Sequence, residues 1–552
     1  MPTERVGPRL GGLLLCLVAG CSSAPAEDPF SPDEPEVCVP SADDQDCDGV
    51  TVAGGDCDDG DAGVFPGHWD DPHDDLDTDC DGTDAASLAF AFARFSGREF
   101  FSLSGKSVAA IDDIDGDGRP ELLIGASNEE QSRGRSYLFW SGTAGRGGDF
   151  RLEDADAVFV GEERGDASGR WVAAAGDVDG DGRGDLLIGA HNAGGGLGIA
   201  YLVRGRDAAA GGTLQLNQAH ARFVGRAAFD HLGYAIASAG DVDGDGLDDV
   251  LIGAHGDDGA GSDAGAVGLF LGRSLESGGE RSLDEADALV LGAQPGDALG
   301  RSVGSLGDVD GDGLDDLLLG ALGDDAGGLD AGAAVLFLGA DLSGGGTFGA
   351  AQAHARLVGE EAGDGVGYAI AGAGDLDGDG RGDALLSAYR NDRAGPNAGA
   401  TYVVLAGRLA AGGTIDLADA DVALLGEARR PHDLSGWSVA WAGDVDGDGR
   451  SDVLVGAMWN DDGGYNAGKA YLVLGSRLAE GVELPLGRAD AAFVGPNTPS
   501  TSSVPFRHDQ SGEVVASAGD IDGDGRDDLL VGAPDHLGGQ GRTYLLLSPR
   551  DL

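Results

Sequence analysis

Small and apolar residues alternate in short runs along most of this chain, and each run ends at a burst of acid and glycine. Trp171-Val-Ala-Ala-Ala-Gly176 leads into Asp177-Val-Asp-Gly-Asp-Gly182, and a continuous apolar run, Leu186-Leu-Ile-Gly-Ala190, follows. The next repetition reads Tyr234-Ala-Ile-Ala-Ser-Ala-Gly240, the acidic burst from Asp241, then Val250-Leu-Ile-Gly-Ala254. After a Gly/Asp-rich connection comes a third run, Ala266-Val-Gly-Leu-Phe-Leu271, and then a fourth announced by Ala-x-Ala, Ala286-Asp-Ala-Leu-Val-Leu291. Runs this short, bounded by turn residues and lacking a helical period, predict β-strands. Four per unit predict a four-stranded antiparallel blade.

The acidic burst recurs seven times, opening at Asp113, Asp177, Asp241, Asp308, Asp375, Asp444 and Asp520, at spacings of 64, 64, 67, 67, 69 and 76 residues. Self-similarity at a near-fixed period marks a repeat architecture. Seven four-stranded units predict an all-β, seven-bladed β-propeller over residues 86–552. A ring must close. The seventh unit reaches its third strand at Thr543-Tyr-Leu-Leu-Leu547, just before the sequence ends. Phe90-Ala-Phe-Ala-Arg-Phe95 matches His220-Ala-Arg-Phe-Val224, the fourth strand of an internal unit. This N-terminal strand is therefore expected to complete the last blade and remove the open edges.

Each burst is a nine-residue loop, Asp-x-Asp-Gly-Asp-Gly-x-x-Asp. Carboxylates at positions 1, 3 and 5 alternate toward one centre, and the position-7 carbonyl and position-9 carboxylate complete an oxygen cage suited to Ca²⁺. The predicted ligands are Asp113, Asp115, Asp117 and Glu121; Asp177, Asp179, Asp181 and Asp185; Asp241, Asp243, Asp245 and Asp249. They continue with Asp308, Asp310, Asp312 and Asp316; Asp375, Asp377, Asp379 and Asp383; Asp444, Asp446, Asp448 and Asp452; Asp520, Asp522, Asp524 and Asp528. An EF-hand shares the first six positions but closes with Glu at position 12 between helices. Position 12 here is an apolar strand residue such as Ile188 or Ile252, so these are strand–loop–strand sites, up to seven in the ring. Without a cation, three or four carboxylates in one turn repel one another.

Composition agrees with this picture. The chain has 97 Asp+Glu against 35 Lys+Arg, a net charge of −62, and 102 glycines. Phosphate recognition needs a basic face, which excludes a nucleic-acid binder. Its 41% apolar content is enough for a packed core. No catalytic signature is present: neither His-Glu-x-x-His nor Gly-x-Ser-x-Gly occurs, and the propeller has no cysteine nucleophile, so the expectation is a non-enzyme.

The N-terminal residues have a different grammar. Arg5 and Arg9 precede the apolar run Leu10 to Gly20, the charge and length of an export signal over residues 1–20. Val18-Ala-Gly-Cys21 resembles the bacterial lipobox, which implies lipidation of Cys21 and an outer-membrane or cell-surface lipoprotein, with plain secretion as the alternative. Residues 21–40 read as anchor and Pro-rich linker. Residues 41–85 are Asp-rich and hold Cys47, Cys57 and Cys80, which with Cys38 suggest two disulfides of three possible connectivities. Asp56-Cys-Asp-Asp59, Pro66-Gly67 and Asp77-x-Asp-Cys-Asp-Gly82 resemble the MopE-like metal-binding motif of bacterial surface proteins. Calcium suits these oxygen donors, whereas copper, which that family's name suggests, would draw on His68 and His73.

The repeating units resemble the FG-GAP repeats of integrin alpha-chain propellers and their bacterial relatives. Gly-Ala-Pro survives at Gly532-Ala-Pro534, while Ser387-Ala388 departs from it, and Phe-Gly is reduced to pairs such as Leu232-Gly233 and Ser435-Gly436. The resemblance implies a calcium-stabilised adhesion or interaction module, a monomer whose partner is a surface protein or glycan. A non-catalytic envelope scaffold, a metal-sequestering protein and a hydrolase with an unrecognised site are the alternatives. The loops opposite the acidic ones, carrying His191, His255, Tyr389, Arg390, Trp459 and Tyr465, are the expected binding face. Arg183-Gly-Asp185 and Arg381-Gly-Asp383 imitate an integrin ligand, but both aspartates are position-9 residues expected to point inward.

Overall fold

The structure is a computed structural model describing residues 86–372, 374–427, 432–478, 481–496 and 508–548. The export signal, Cys21, the expected disulfides and the Asp-rich segment lie outside the described residues, as does most of the 496–508 insertion. Seven sheets form the predicted seven-bladed propeller. In blade 2 the antiparallel strands are Trp171–Gly176, Asp185–Ala190, Ile199–Val203 and Ala221–Val224, from the central axis outward. The first is half-buried because its small residues face the axis, and the second is wholly buried, as its continuous apolar run requires.

Each sheet has five strands rather than the predicted four. The fifth belongs to the following repeat: Gly212–Gln215, between the third and fourth strands of blade 2, pairs in parallel with Ala157–Val160 of blade 1. Gly279–Ser282 does the same for blade 2, and the arrangement continues around the ring. These four-residue braces are mostly exposed and polar, and the short 3-10 turn that follows each drops one apolar residue into the core, Leu216 in Leu216–Gln218 and Ala350 in Ala350–Gln352.

The N-terminal segment repeats this unit in full. Ala86–Ser87 braces blade 6 against Ala491–Val494, Leu88–Phe90 forms the 3-10 turn, and Ala93–Ser96 becomes the fourth strand of blade 7 against Arg542–Leu546. Gly148–Arg151 of blade 1 then braces that strand. The expected closure is present, and it involves two neighbouring blades.

Hydrophobic clusters lie between blades. Ile111, Leu123 and Leu138 of blade 1 pack with Val172, Leu186, Ile188 and Tyr201 of blade 2, and six equivalent clusters join the other pairs. The repeated glycines set the blade spacing. A Cβ on Gly189 would lie 2.2 Å from the carbonyl oxygen of Gly233, at the entrance to the next blade, so the sheets could not approach with any larger residue there. The closing strand puts Phe95 into the 7–1 cluster, stacked on Phe150 at 5.2 Å and tilted against Phe139 at 4.8 Å. Phe95→Ala is expected to cost about 3–5 kcal/mol, the usual loss for a buried Phe, measured by urea unfolding. A change within 0.5 kcal/mol would show that the clasp contributes little.

Candidate functional site

Each acidic loop folds around its first carboxylate. In the loop opening at Asp241, Oδ1 accepts the N–H groups of Gly244 at 2.7 Å and Asp245 at 3.0 Å, and Oδ2 accepts that of Gly246 at 2.9 Å. Asp245 at position 5 accepts the N–H of Leu247 at 3.0 Å. The same frame recurs at Asp113, Asp308, Asp375 and Asp520. It recurs in large part at Asp177 and Asp444. Short side-chain carboxylates favour such turns because they can satisfy nearby backbone donors.

Position 9 is buried and bridges two elements. Asp249 accepts the N–H of Val242, inside its own loop, at 2.9 Å and that of Gly272, just past the third strand, at 2.8 Å. Asp185, Asp316, Asp383, Asp452 and Asp528 make the same two bonds. Glu121 is one methylene longer; its Oε2 accepts the Ile114 N–H at 2.6 Å, and its Oε1 is buried with no hydrogen-bond partner.

The predicted ligands converge. Positions 1, 3 and 9 bring carboxylate oxygens within 4.8 Å of one another in the loops opening at Asp177, Asp241, Asp308 and Asp375. The first loop gathers Asp113, Asp115, Asp117 and Glu121. Asp181, Asp245, Asp312 and Asp379, at position 5, stand outside those groups of three. Burial, with the neighbouring carboxylates adding to it, pushes Asp185, Asp249, Asp383, Asp452 and Asp528 up to about 7, Asp316 to about 6 and Glu121 to about 8. Asp179 Oδ1 is buried without a hydrogen-bond partner, as Glu121 Oε1 is. A crowded, all-oxygen donor set with unsatisfied lone pairs fits a hard divalent cation, which would reverse this charge penalty.

FG-GAP repeats match residues 232–270, 435–473 and 511–546, and an FG-GAP-like repeat matches 113–188. The propeller carries FG-GAP repeats. The chain is 31% identical to human integrin alpha-IIb over 173 residues, 29% to Xenopus laevis integrin alpha-4 over 161 and 30% to Xenopus laevis integrin alpha-5 over 187. Those alignments cover 30%, 29% and 32% of this chain and 16%, 15% and 17% of the relatives, so the chain spans about a sixth of their length. The crystal structure of Sqt1 from Chaetomium thermophilum superposes with a TM-score of 0.38 at 12% identity, covering 81% of this chain and 82% of that one.

The FG-GAP loops are also tied to one another, through residues that the motif leaves unspecified. Asp248, at position 8 of the third loop, accepts the N–H of Asp177 in the second at 2.7 Å. Asp315 does the same for Asp241 at 2.7 Å, and Asp527 for Asp444 at 2.9 Å. The residue before position 1 must then be glycine: a Cβ on Gly176, Gly240 or Gly443 would lie 2.2, 1.9 or 2.1 Å from these carboxylates. The arginines at position 7 reach backward too, Arg119 to the Ile521 carbonyl at 3.3 Å and Arg183 to that of Ile114. Sequence reading assigned these residues no role, because their partners sit more than 60 residues away. Both Arg-Gly-Asp triplets are buried at their aspartates, Asp185 and Asp383, as expected.

Two outcomes follow for the FG-GAP propeller. The position-9 groups have folded-state pKa values above the ordinary 3.8–4.5, so they favour folding at low pH and lose that contribution as pH rises through about 6–8. Metal-stripped protein in EDTA should therefore melt at a lower temperature at pH 8 than at pH 5, and saturating calcium should remove that slope; a rise from pH 5 to pH 8 in EDTA would contradict the buried-charge account. Asp248→Ala should cost about 1–3 kcal/mol in urea unfolding, because it leaves the Asp177 N–H unpaired.

Proposed function

We propose that this FG-GAP propeller is an exported, calcium-stabilised interaction module that binds a surface protein or glycan through the face opposite its acidic loops. The observation that carries this reading is the unequal character of the two faces. Nine large apolar side chains are exposed among the described residues, and seven of them, Phe100, Phe101, Phe229, Leu329, Trp459, Tyr465 and Leu537, lie in loops of that opposite face. Apolar groups gathered on one side of a rigid scaffold mark a contact surface. The acidic face offers carboxylates whose geometry is already committed to holding the loops. The similarity to integrin alpha-chains supports interaction rather than catalysis as the role.

Calcium's part in this reading is structural. At ten times its dissociation constant one site gains about 1.4 kcal/mol, and seven independent sites gain about 10 kcal/mol. That is comparable with the net stability of a domain. Chelation should therefore lower the calorimetric melting temperature by roughly 10 °C or more; an unchanged value would overturn structural calcium. Trp459→Ala together with Tyr465→Ala should leave melting unchanged and reduce attachment of the purified chain to cells of its source several-fold. Undiminished attachment would count against this face.

A further inference from the structure

The innermost strands surround a central cavity of about 220 Å³, lined near the interaction face by Lys106, Arg170, Tyr234, Arg301, Tyr368, Trp437 and Glu513, one residue from each blade. These are the entry positions of the seven first strands, so the ring's geometry brings them together although they are spread over more than 400 residues of sequence. Three are cations and one is an acid, in a chain whose net charge is −62. Lys106 pairs with Glu513. Arg170 and Arg301 meet no carboxylate within ion-pair distance among the described residues. Arg170 rests 5.1 Å from the Trp171 ring, and Arg301 lies 4.4 Å from the Tyr234 ring and 4.2 Å from the Tyr368 ring. Arg301 also shares a hydrogen bond with the Tyr368 hydroxyl. Aromatic faces themselves engage none of the in-plane N–H donors, and guanidinium donors are shaped for an oxyanion.

The mouth has two halves. His191 and His255 edge against Tyr234 at 5.4 and 4.6 Å on the side of the arginines. On the other side Tyr389, Leu434 and Met458 form an apolar cluster against Tyr368 and Trp437. Burial, with Arg170 acting on His191 and Arg301 on His255, pushes the two imidazoles down to about 3 and about 4, which keeps both neutral beside the arginines. Both imidazoles have a buried Nδ1 with no hydrogen-bond partner.

We infer that the central cavity is a subsite for an oxyanion, best a carboxylate carried on an apolar or aromatic body, with Arg170 and Arg301 taking the charge and the Tyr368–Trp437 side taking the body. This deepens the reading of the opposite face as a contact surface: the partner inserts one acidic group at the axis while its surroundings rest on the loop aromatics. A cationic pocket in so acidic a protein gives selectivity, since the rest of the surface repels the same ligand. The proposed subsite takes a single side chain, terminal group or small anion rather than a folded segment.

The test is titration of the full chain, in calcium, with phenylacetate, its neutral isostere phenylacetamide and inorganic phosphate, read by calorimetry and by the fluorescence of the cavity tryptophans. Phenylacetate should bind saturably and at least tenfold tighter than phenylacetamide. Phosphate binding as tightly would assign the subsite to charge alone, and weaker phosphate binding would assign it to a carboxylate on an apolar body; both keep an oxyanion site. Arg170→Gln with Arg301→Gln should lower phenylacetate affinity at least tenfold. Should that pair fail to fold, the wild-type comparison with phenylacetamide still decides. No saturable response to either anion, or equal binding of phenylacetamide, would overturn the inference. If the arginine variant folds and attaches to cells normally while Trp459→Ala with Tyr465→Ala does not, the contact face stands and the axial subsite falls.

Discussion

Seven carboxyl groups, one per blade, are buried where the second strand leaves its loop, and the geometry of each blade turns on them. In six blades the group joins its own loop to the turn after the third strand by two backbone hydrogen bonds, so it fixes three strands at once. Burying an unpaired carboxylate is costly, and the neighbouring carboxylates of the loop increase that cost, Asp245 and Asp241 in the case of Asp249. A divalent cation would resolve both problems at once. The residues that order the blade would then tie its stability to an ion, and at three junctions a carboxylate at position 8 links position 1 of the preceding loop to its neighbour.

Packing follows the same rule of shared responsibility. No blade owns its core: every cluster is assembled from two neighbours, and every sheet takes its outermost strand from the next repeat. Glycine at the points of closest approach lets the second strand of one blade lie against the entrance of the next. Where blade 5 has Ser387 instead, its Cβ lies 3.4 Å from a Cβ placed on the facing Gly436, an ordinary contact, whereas the Ala400 carbonyl oxygen would lie at 2.9 Å. The outcome is a disc with the acidic loops on one face and most of the exposed large apolar side chains on the other.

Much of this was legible because its signals are local. The acidic loops announce themselves in nine residues, and the seven-fold count and the borrowed strand ending at Phe95 follow from comparing repeats. The braces were not legible: Gly212-Thr-Leu-Gln215 is short, polar and exposed, and it pairs with another repeat, so its own sequence carries no strand period. Asp248, Asp315 and Asp527 carry no local signal, since their partners lie in the preceding blade. Nothing near Arg170 or Arg301 in sequence marks them either, and only the ring places them together. In the loops opening at Asp177, Asp241, Asp308 and Asp375 the position-5 side chain stands outside the group of three and accepts a backbone N–H of the turn, a bond that Asp117 of the first loop also makes.

The N-terminal clasp has a mechanical meaning as well. The chain enters the disc through Ala86–Ser87 on blade 6 and crosses at once to Ala93–Ser96 on blade 7. A pull applied from the preceding residues would meet a two-residue parallel pairing first and a four-residue antiparallel pairing second. The load would therefore fall first on the junction of blades 6 and 7, and then on Gly148–Arg151 of blade 1, which braces the second strand. Under tension the disc would open like a buckle, at its clasp, before any repeat between blades 2 and 5 was disturbed.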